Sequence, residues 1–239
     1  MSVYHYIALA LFAGFMIAEG LFRARRQPSI RLWKTMGLVS ALLYFAIGTF
    51  APLFWDPILG RHQLVDASAL PFALQVVAGY LVLSFLGYWW HRAMHATEPL
   101  WRVVHQMHHS AERVDLWGAF YFHPLDMLGW ALQASVSLVL VIGLSPQATL
   151  TVAALATALA MFQHANLPTP QWLGWVVMRP EQHAVHHQRG LHAGNYGDVA
   201  IWDLLFGTYS NPARWHGKAG FHQGSTTKLV PLLAGKAIA

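Results

Sequence analysis

The chain contains three short clusters of histidine, whose imidazole side chain commonly binds metal ions. They read HRAMH at 91–95, HQMHH at 105–109 and HAVHH at 183–187. Within each cluster, histidines lie three or four positions from the first one, a spacing that puts side chains on one face of a helix. Imidazole suits iron, copper, nickel and zinc, so the ligand type leaves the metal open. The repeated spacing predicts metal ligands rather than histidines scattered through a core.

The three clusters supply more imidazoles than one tetrahedral metal ion can use, because structural zinc takes only four ligands. They suffice for two metal ions with positions left for oxygen or water. The clustered residues are His91, His95, His105, His108, His109, His183, His186 and His187. Four histidines without such neighbours are predicted to be exposed or terminal, namely His5, His62, His216 and His222.

The composition of the chain predicts membrane insertion. Of its 239 residues, 56% are hydrophobic and only 10% are charged, whereas soluble domains average about 25% charged residues. The chain has no cysteine, which excludes disulfides, thiolate metal sites and thiol nucleophiles. The formal net charge is +5, but this charge is concentrated in one linker, so we expect no nucleic-acid partner.

Five apolar runs are candidates for membrane helices, which need about 20 mostly apolar residues. They cover residues 3–22, 36–54, 71–90, 127–144 and 147–163. The last two are separated only by Ser145-Pro146, a break that predicts a helical hairpin. The predicted fold is an all-α integral membrane protein with about three transmembrane helices, the hairpin and a cytoplasmic helical cap that carries the histidines. We expect residues 1–239 to form a single domain.

The charges of the linkers predict how the helices are oriented. The linker after the first run contains Arg23, Arg25, Arg26, Arg31 and Lys34, whereas residues 55–69 contain a single basic residue. Positively charged loops stay on the cytoplasmic side. The third run then ends in the cytoplasm just before the first histidine cluster, and the hairpin returns to the same side. All three clusters are thus predicted to share one face of the membrane, as a common metal site requires.

The order of motifs resembles the fatty acid hydroxylase / sterol desaturase superfamily, whose members are integral-membrane di-iron enzymes. The resemblance covers residues 88–209 and includes the three histidine clusters in order. Further matching motifs are LWRVVHQMHHS (100–110), HPLD (123–126), QHAN (163–166), PEQHAVHH (180–187), NYG (195–197) and WDLLFGTY (202–209). Several spaced histidine motifs in this order are specific, whereas one HxxxH alone would be weak.

The resemblance implies that the eight clustered histidines hold two iron ions, with zinc as a substitute in a heterologously produced protein. It adds His164 as a ninth ligand and implies supporting roles beside the metals for His123, Asn166, Asn195 and Asp203. His123 precedes Pro124 and could instead cap a helix. Because metal-bound histidines usually donate their other nitrogen to an oxygen, four carboxylates are candidate acceptors: Asp126, Glu181, Asp198 and Asp203.

The function implied is oxidation of an unactivated C–H bond of a lipid, such as a fatty acyl chain or sterol, by hydroxylation or desaturation. The implied partners are the lipid, O2 and a separate electron-donor reductase system, since no flavin, nicotinamide or iron–sulfur fingerprint is present. The apolar segment 115–122 is predicted to line the substrate tunnel. We expect a bacterial inner membrane with the site on its cytoplasmic side, with the endoplasmic reticulum membrane as the alternative.

Two other classes of protein use clustered histidines. A membrane metal transporter or sensor would carry ionisable groups at several depths inside its helices, whereas here the clusters crowd one side. A metal-dependent hydrolase often has HExxH, with the glutamate as general base. Arg92 occupies that position in HRAMH, which argues against hydrolysis.

Overall fold

The computed structural model describes residues 3–238, with side chains from Tyr6 onward, and every regular element in that part is helical. His5 therefore lies outside the residues whose side chains are described. Two isolated bridges, Val177 to Val199 and Gln188 to Ala219, connect loops. The α-helices are α1 (Val3–Leu21), α2 (Trp33–Phe50), α3 (Pro52–Leu59), α4 (Phe72–Ala96), α5 (Glu98–Leu100), α6 (Gln106–His109), α7 (Pro124–Ser135), α8 (Pro146–His164), α9 (Pro180–His186), α10 (Ala200–Leu205) and α11 (Leu229–Leu233).

Three helical stretches are long and apolar enough to cross a membrane. They are Trp33–Leu59, which joins α2 and α3, then α4, and Pro124–Val141, which is α7 with a π-helical extension. The described part of α1 is a shorter apolar helix, Tyr6–Leu21. The prediction of an all-helical chain with membrane-length helices is therefore confirmed. The stretch Trp33–Leu59 continues past the predicted end of its apolar run at residue 54. Pro52 does not interrupt it, because Pro52 lies in the first turn of α3, where a proline needs no backbone donor.

The two arms of the predicted hairpin both pack against α4. Leu83 of α4 is buried in one cluster with Leu138 of the first arm and Val152 of the second. Gly79 lets the arms approach, since a Cβ there would lie 2.5 Å from Leu144 Cδ1. Helix α4 is thereby held on two sides, which fixes the end that carries the first histidine cluster.

The second cluster lies on a helix with a π-helical turn. Residues Trp101–His105 are π-helical and lead directly into α6, and the Gln106 N–H donates to the Trp101 carbonyl. A π turn adds a residue to the helical repeat and is frequent at functional sites. It changes the angular spacing between His105 and the residues before it. Thr97, in an extended conformation, turns the chain between α4 and this helix, so the first two clusters face each other.

Candidate metal centre

Nine histidines converge into two neighbouring groups, and these are the nine that the sequence singled out as ligands. Within each group the candidate ligand nitrogens all lie within 4.8 Å of one another. The five-histidine group is His91, His95, His105, His109 and His186, and the four-histidine group is His108, His164, His183 and His187. The second and third clusters each contribute to both groups. The two groups therefore form one continuous centre rather than separate sites.

Burial keeps these imidazoles uncharged. Eight of the nine are buried, and His95 is half-buried. Loss of hydration lowers the pKa of His105 to about 3 and lowers those of His109, His183 and His187 well below the usual value. The neutral imidazole is the form that binds a metal ion. The chain thus presents its histidines in their metal-binding form at neutral pH.

Hydrogen bonds at Nδ1 assign the tautomer of six of the nine histidines. Five of the six have Nδ1 beside a backbone carbonyl oxygen, which can only accept, so Nδ1 carries the proton and Nε2 keeps its lone pair. We assign His105 in the same way, with the Asp126 carboxylate as the acceptor. The pairs are His91 with Tyr196 O at 2.8 Å, His95 with His192 O at 2.8 Å, His105 with Asp126 Oδ2 at 2.7 Å, His108 with Tyr121 O at 3.4 Å, His164 with Ala160 O at 2.8 Å and His186 with Gly194 O at 2.7 Å.

The Nε2 atoms left with lone pairs point at one another. His91 Nε2 lies 3.1 Å from His105 Nε2, and His164 Nε2 lies 3.2 Å from His108 Nε2. With both protons on Nδ1, neither contact can be a hydrogen bond. A shared cation would turn each repulsive pair into two coordinate bonds. The Nε2 atom of His186 is also buried without a hydrogen-bond partner in the described chain. The donor set therefore fits a metal ion in each group.

A buried carboxylate orients one of the candidate ligands. Asp126 Oδ2 accepts a hydrogen bond from His105 Nδ1, and both side chains are almost completely buried. Such a carboxylate–histidine pair fixes the ring and raises its basicity toward a metal. Asp126 stands in the first turn of α7, just after the HP pair of the motif at 123–126.

Asp203 supports the centre through a loop. Its two carboxylate oxygens accept from the backbone N–H groups of Tyr196 and Gly197, each at 2.8 Å. The carbonyl of Tyr196 in turn accepts from His91 Nδ1. Asn195 secures the same loop, because its side-chain amide donates to the carbonyl of Gln182 at 3.0 Å. Both residues thus hold the backbone that orients His91.

Other polar residues singled out in the motifs bind the scaffold. His123 caps α7, with its Nδ1 accepting from the Leu125 N–H at 3.1 Å. The Asn166 side chain bonds to the backbone N–H and carbonyl of Arg25. The remaining two carboxylates contact no histidine in the hydrogen bonds of the described chain: Glu181 accepts from Thr169 and pairs with Arg179, and Asp198 accepts from Tyr80.

His192 belongs to the centre although nothing in the sequence pointed to it. Its carbonyl accepts from His95 Nδ1, and its own Nδ1 lies 3.1 Å from His109 Nδ1. Its backbone has a φ of 43°, which few non-glycine residues adopt. His192 has no histidine three or four positions away, so the helical spacing that revealed the others could not reveal it. Of the isolated histidines that are described, His62 and His216 are exposed, as predicted, whereas His222 is partly buried.

We expect His192→Ala to loosen the metal held by the five-histidine group. His109 Nδ1 would lose its partly buried partner, and losses of this kind typically cost about 10- to 100-fold in metal affinity. His192→Asn should retain most of the affinity, because asparagine can place an oxygen near the Nδ1 position and tolerates positive φ. Competition with a chelator measures both variants, with His216→Ala as the exposed control. Equal losses in the alanine and asparagine variants would contradict the hydrogen-bond role.

An aromatic wall borders the four-histidine group. The Phe122 ring centroid lies 4.3 Å from that of His108, and Phe120 stacks on Tyr44 of α2 at 4.7 Å. These rings belong to the segment 115–122, and Tyr44 brings them against a helix that could cross a membrane. The start of the segment has a different role, since Asp115 accepts from the indole N–H of Trp33 at 2.9 Å.

The buried histidines predict that the metal-free chain loses stability in acid. Their pKa values are lowered in the folded chain, from a usual 6.5 to about 3 for His105. Above pH 6.5 these histidines are neutral in both the folded and the unfolded chain, and the free energy of unfolding has its full value. As the pH drops from 6.5 toward 3, only the unfolded chain gains protons, so the free energy of unfolding falls. Each such group changes the free energy of unfolding by up to about 1.4 kcal/mol per pH unit. The unfolding temperature should therefore fall between pH 8 and pH 5. His108→Gln should reduce this pH dependence, whereas His62→Ala should leave it unchanged; an unchanged dependence in His108→Gln would contradict the expectation.

Comparisons with known proteins show which family the histidine-containing region matches. The sequence profile described as fatty acid hydroxylase matches residues 76–208, more than half of the chain. An ornithine lipid hydroxylase of Rhizobium tropici is 32% identical over 177 residues, which are 71% of this chain and 53% of the relative. Sphinganine C4-monooxygenase 1 of Arabidopsis thaliana is 32% identical over 151 residues, 59% of this chain and 56% of the relative.

A third relative matches over a longer stretch. A sphingolipid C4-hydroxylase of Schizosaccharomyces pombe is 25% identical over 240 residues, 87% of this chain and 82% of the relative. The chain spans only about half the length of the Rhizobium and Arabidopsis relatives. No solved structure gives a significant match. All the histidines of both groups lie within the matched region, so the chain belongs to the fatty acid hydroxylase family.

Proposed function

We propose that this chain is a di-iron enzyme that uses O2 to hydroxylate or desaturate a C–H bond of a membrane lipid. The observation that carries the proposal is the pair of adjacent histidine groups, with five and four members, whose Nε2 lone pairs converge. Imidazole-rich sites suit iron, and zinc is the expected substitute after heterologous production. Iron, when bound, supplies the reduction of O2 and the oxidation of an unactivated C–H bond.

The residues of the chain hold the imidazoles and shield them from water. Asp126 and five backbone carbonyls keep the Nδ1 protons in place, so every Nε2 of those six histidines stays free for a metal. Phe122, next to His108, would exclude water from the four-histidine group and contact the substrate. Asp203 fixes the Tyr196 carbonyl, which keeps the His91 ring in one orientation. These residues therefore hold the imidazole rings in position and leave the rings neutral.

A lipid substrate accounts for the position of the centre. The first cluster stands at the end of α4 and His164 at the end of α8, and α4 is one of the helices that could cross a membrane. Relatives whose names give a lipid substrate include an ornithine lipid hydroxylase, sphingolipid hydroxylases and a sterol desaturase. We infer that an acyl or sterol chain reaches the centre from the membrane along the wall formed by Tyr44, Phe120 and Phe122.

The reaction needs electrons from outside the chain. In hydroxylation, one oxygen atom of O2 enters the C–H bond and the other leaves as water, with two electrons and two protons supplied. In desaturation the lipid loses two hydrogen atoms and both oxygen atoms leave as water, again with two external electrons and two protons. We propose that a separate reductase system supplies these electrons.

The cytoplasmic side of a bacterial inner membrane is the proposed location of the centre, with the endoplasmic reticulum membrane as the alternative. The linker between α1 and α2 carries four arginines, and Lys34 follows in the first turn of α2; positive linkers stay in the cytoplasm. The Asn166 side chain, just past the end of α8, bonds to the Arg25 backbone in that linker. The linker and the end of α8 next to the four-histidine group therefore lie on the same side.

Isotope-labelled O2 tests the proposed reaction. Membranes containing the iron-loaded chain would be supplied with a reductant and labelled O2, and their lipids analysed by mass spectrometry. Gain of one labelled oxygen atom would identify hydroxylation, and loss of two hydrogen atoms would identify desaturation. His183→Ala should abolish either product. Metal flux into proteoliposomes without any O2-dependent change in the lipids would contradict the proposal and favour the transporter.

A further inference from the structure

A basic cavity lies apart from the two histidine groups. Its volume is about 520 Å³, and it is lined by parts of the linker after α1 and by loops near the C-terminal end of the chain. Five basic side chains line it, namely Arg25, Arg26, Arg31, Arg189 and Lys218. Glu112 is the single acidic residue among its described lining residues. The cavity thus combines a pronounced excess of positive charge with enough volume for a small ligand.

Arg25 is a partly buried cation that forms no ion pair with any side chain that the structure describes. Its guanidinium carbon lies 4.9 Å from the centroid of the Trp215 ring, and its Nε and Nη2 atoms are buried without a hydrogen-bond partner in the described chain. Burial lowers the pKa of Arg25, and the charges of Glu181 and Glu19 offset that effect only in part. A buried cation without a direct partner is costly, so an anion beside Arg25 would stabilise it.

The other charged side chains at the cavity do not neutralise its positive charge. Glu112 is held by the C-terminal segment, because its Oε2 accepts from the Gly224 N–H at 2.9 Å and from the Thr226 hydroxyl at 3.2 Å. Arg189 donates from Nη2 to the Ala219 carbonyl at 3.2 Å, and its Nε is buried without a partner. Arg25 and Arg189 therefore both have buried donor groups that no described residue satisfies.

The orientation of the chain in a membrane does not explain this cluster. The excess of basic residues expected in a cytoplasmic linker would account for Arg25, Arg26 and Arg31. It would not bring Arg189, which follows the third histidine cluster, or Lys218, from the C-terminal segment, to the same cavity. Three separate segments of the chain thus contribute positive charge to one cavity.

We propose that this cavity binds a phosphate group, carried by a lipid headgroup or by a soluble phosphate. Guanidinium groups recognise phosphate with paired N–H donors and keep their charge when partly buried. The site is independent of the metals, since its basic side chains belong to neither histidine group. The cavity would then be an anion-binding site, additional to the metal centre proposed to oxidise lipid.

Binding of inorganic phosphate tests the proposal on the full-length chain in detergent. Phosphate at constant ionic strength should raise the unfolding temperature by about 5 °C when present at roughly a hundredfold excess over its dissociation constant. The double variant Arg25→Gln/Arg189→Gln should lose at least roughly tenfold in phosphate affinity, because two charge-assisted donors are removed. Arg214→Gln, an exposed arginine outside the cavity, is the matched control and should respond like the unaltered chain.

A second readout distinguishes the two sources of phosphate. The unaltered chain and the double variant would be purified from membranes, and their retained phospholipid counted by mass spectrometry. Retention by the unaltered chain and loss in the double variant indicate a lipid headgroup; phosphate binding without retained phospholipid indicates a soluble phosphate. If the double variant does not fold, the exposed pair Arg26→Gln/Lys218→Gln replaces it. Equal phosphate affinity in the folded cavity variant and in Arg214→Gln would overturn the proposal.

Discussion

Replacing His164 with alanine should yield a chain that binds one metal ion instead of two and no longer oxidises lipid. His164 is one of only four members of its group, so its removal leaves three imidazoles. The loss of metal affinity there should exceed the roughly 10- to 100-fold that follows removal of a ligand's hydrogen-bond partner. Metal content per chain and lipid product would be measured together on the folded protein. Two tightly bound metal ions and unchanged product in His164→Ala would contradict the assignment.

The five-histidine group provides an internal comparison. His95→Ala leaves four imidazoles in that group, enough for a tetrahedral metal site. We therefore expect this variant to keep two metal ions with reduced affinity at one of them. His62→Ala, an exposed histidine outside both groups, should change neither metal content nor product. The loss of metal should therefore be largest for His164→Ala, smaller for His95→Ala and absent for His62→Ala, because the two groups have four and five histidines and His62 belongs to neither.

Replacing Asp126 with leucine should lower the metal affinity of the five-histidine group by about 10- to 100-fold. The His105 Nδ1–H would be left buried without its acceptor, which also costs about 1–3 kcal/mol of folding stability. Asp126→Asn should have a smaller effect, because its amide oxygen can still accept from Nδ1 while the negative charge is gone. Chelator competition and thermal unfolding measure the two effects.

A carboxylate far from the centre provides the control for Asp126. Asp66 lies exposed in the loop before α4 and contacts Ser68 rather than a histidine, so Asp66→Asn, which keeps an accepting oxygen, should leave the metal affinity unchanged and change the stability little. If Asp126→Leu and Asp126→Asn both kept the full metal affinity, the pairing of Asp126 with His105 would have no role in binding the metal.

Local spacing in the sequence accounts for the parts of the centre that could be predicted. Histidines three or four positions apart share a helical face wherever the helix lies, so the clusters were visible without a structure. The division of HQMHH between two groups was not visible, because it depends on which neighbours each ring meets. His108 meets His164 from α8, whereas His105 meets His91 from α4. These contacts are made by residues far apart in the chain.

The supporting residues show the limit of motif chemistry. A motif identifies a side chain that can accept or donate a hydrogen bond, but not the group that it meets. Asp126 meets a histidine, whereas Asn166 meets the backbone of Arg25. Most Nδ1 atoms bond to backbone carbonyls, and a backbone carbonyl has no trace in the sequence. The backbone carbonyl of His192 accepts from His95 Nδ1, and no sequence pattern could have predicted this contact.

Iron content measured on the purified chain tests the central claim most directly. The chain would be loaded anaerobically with ferrous iron, freed of unbound metal and analysed for iron per polypeptide, with Mössbauer spectroscopy to distinguish the iron environments. Two iron ions per chain in two different histidine environments are predicted, and His164→Ala should lose one of the two environments selectively. A single tightly bound iron ion, or two that both persist in His164→Ala, would contradict a di-iron centre built from these nine histidines.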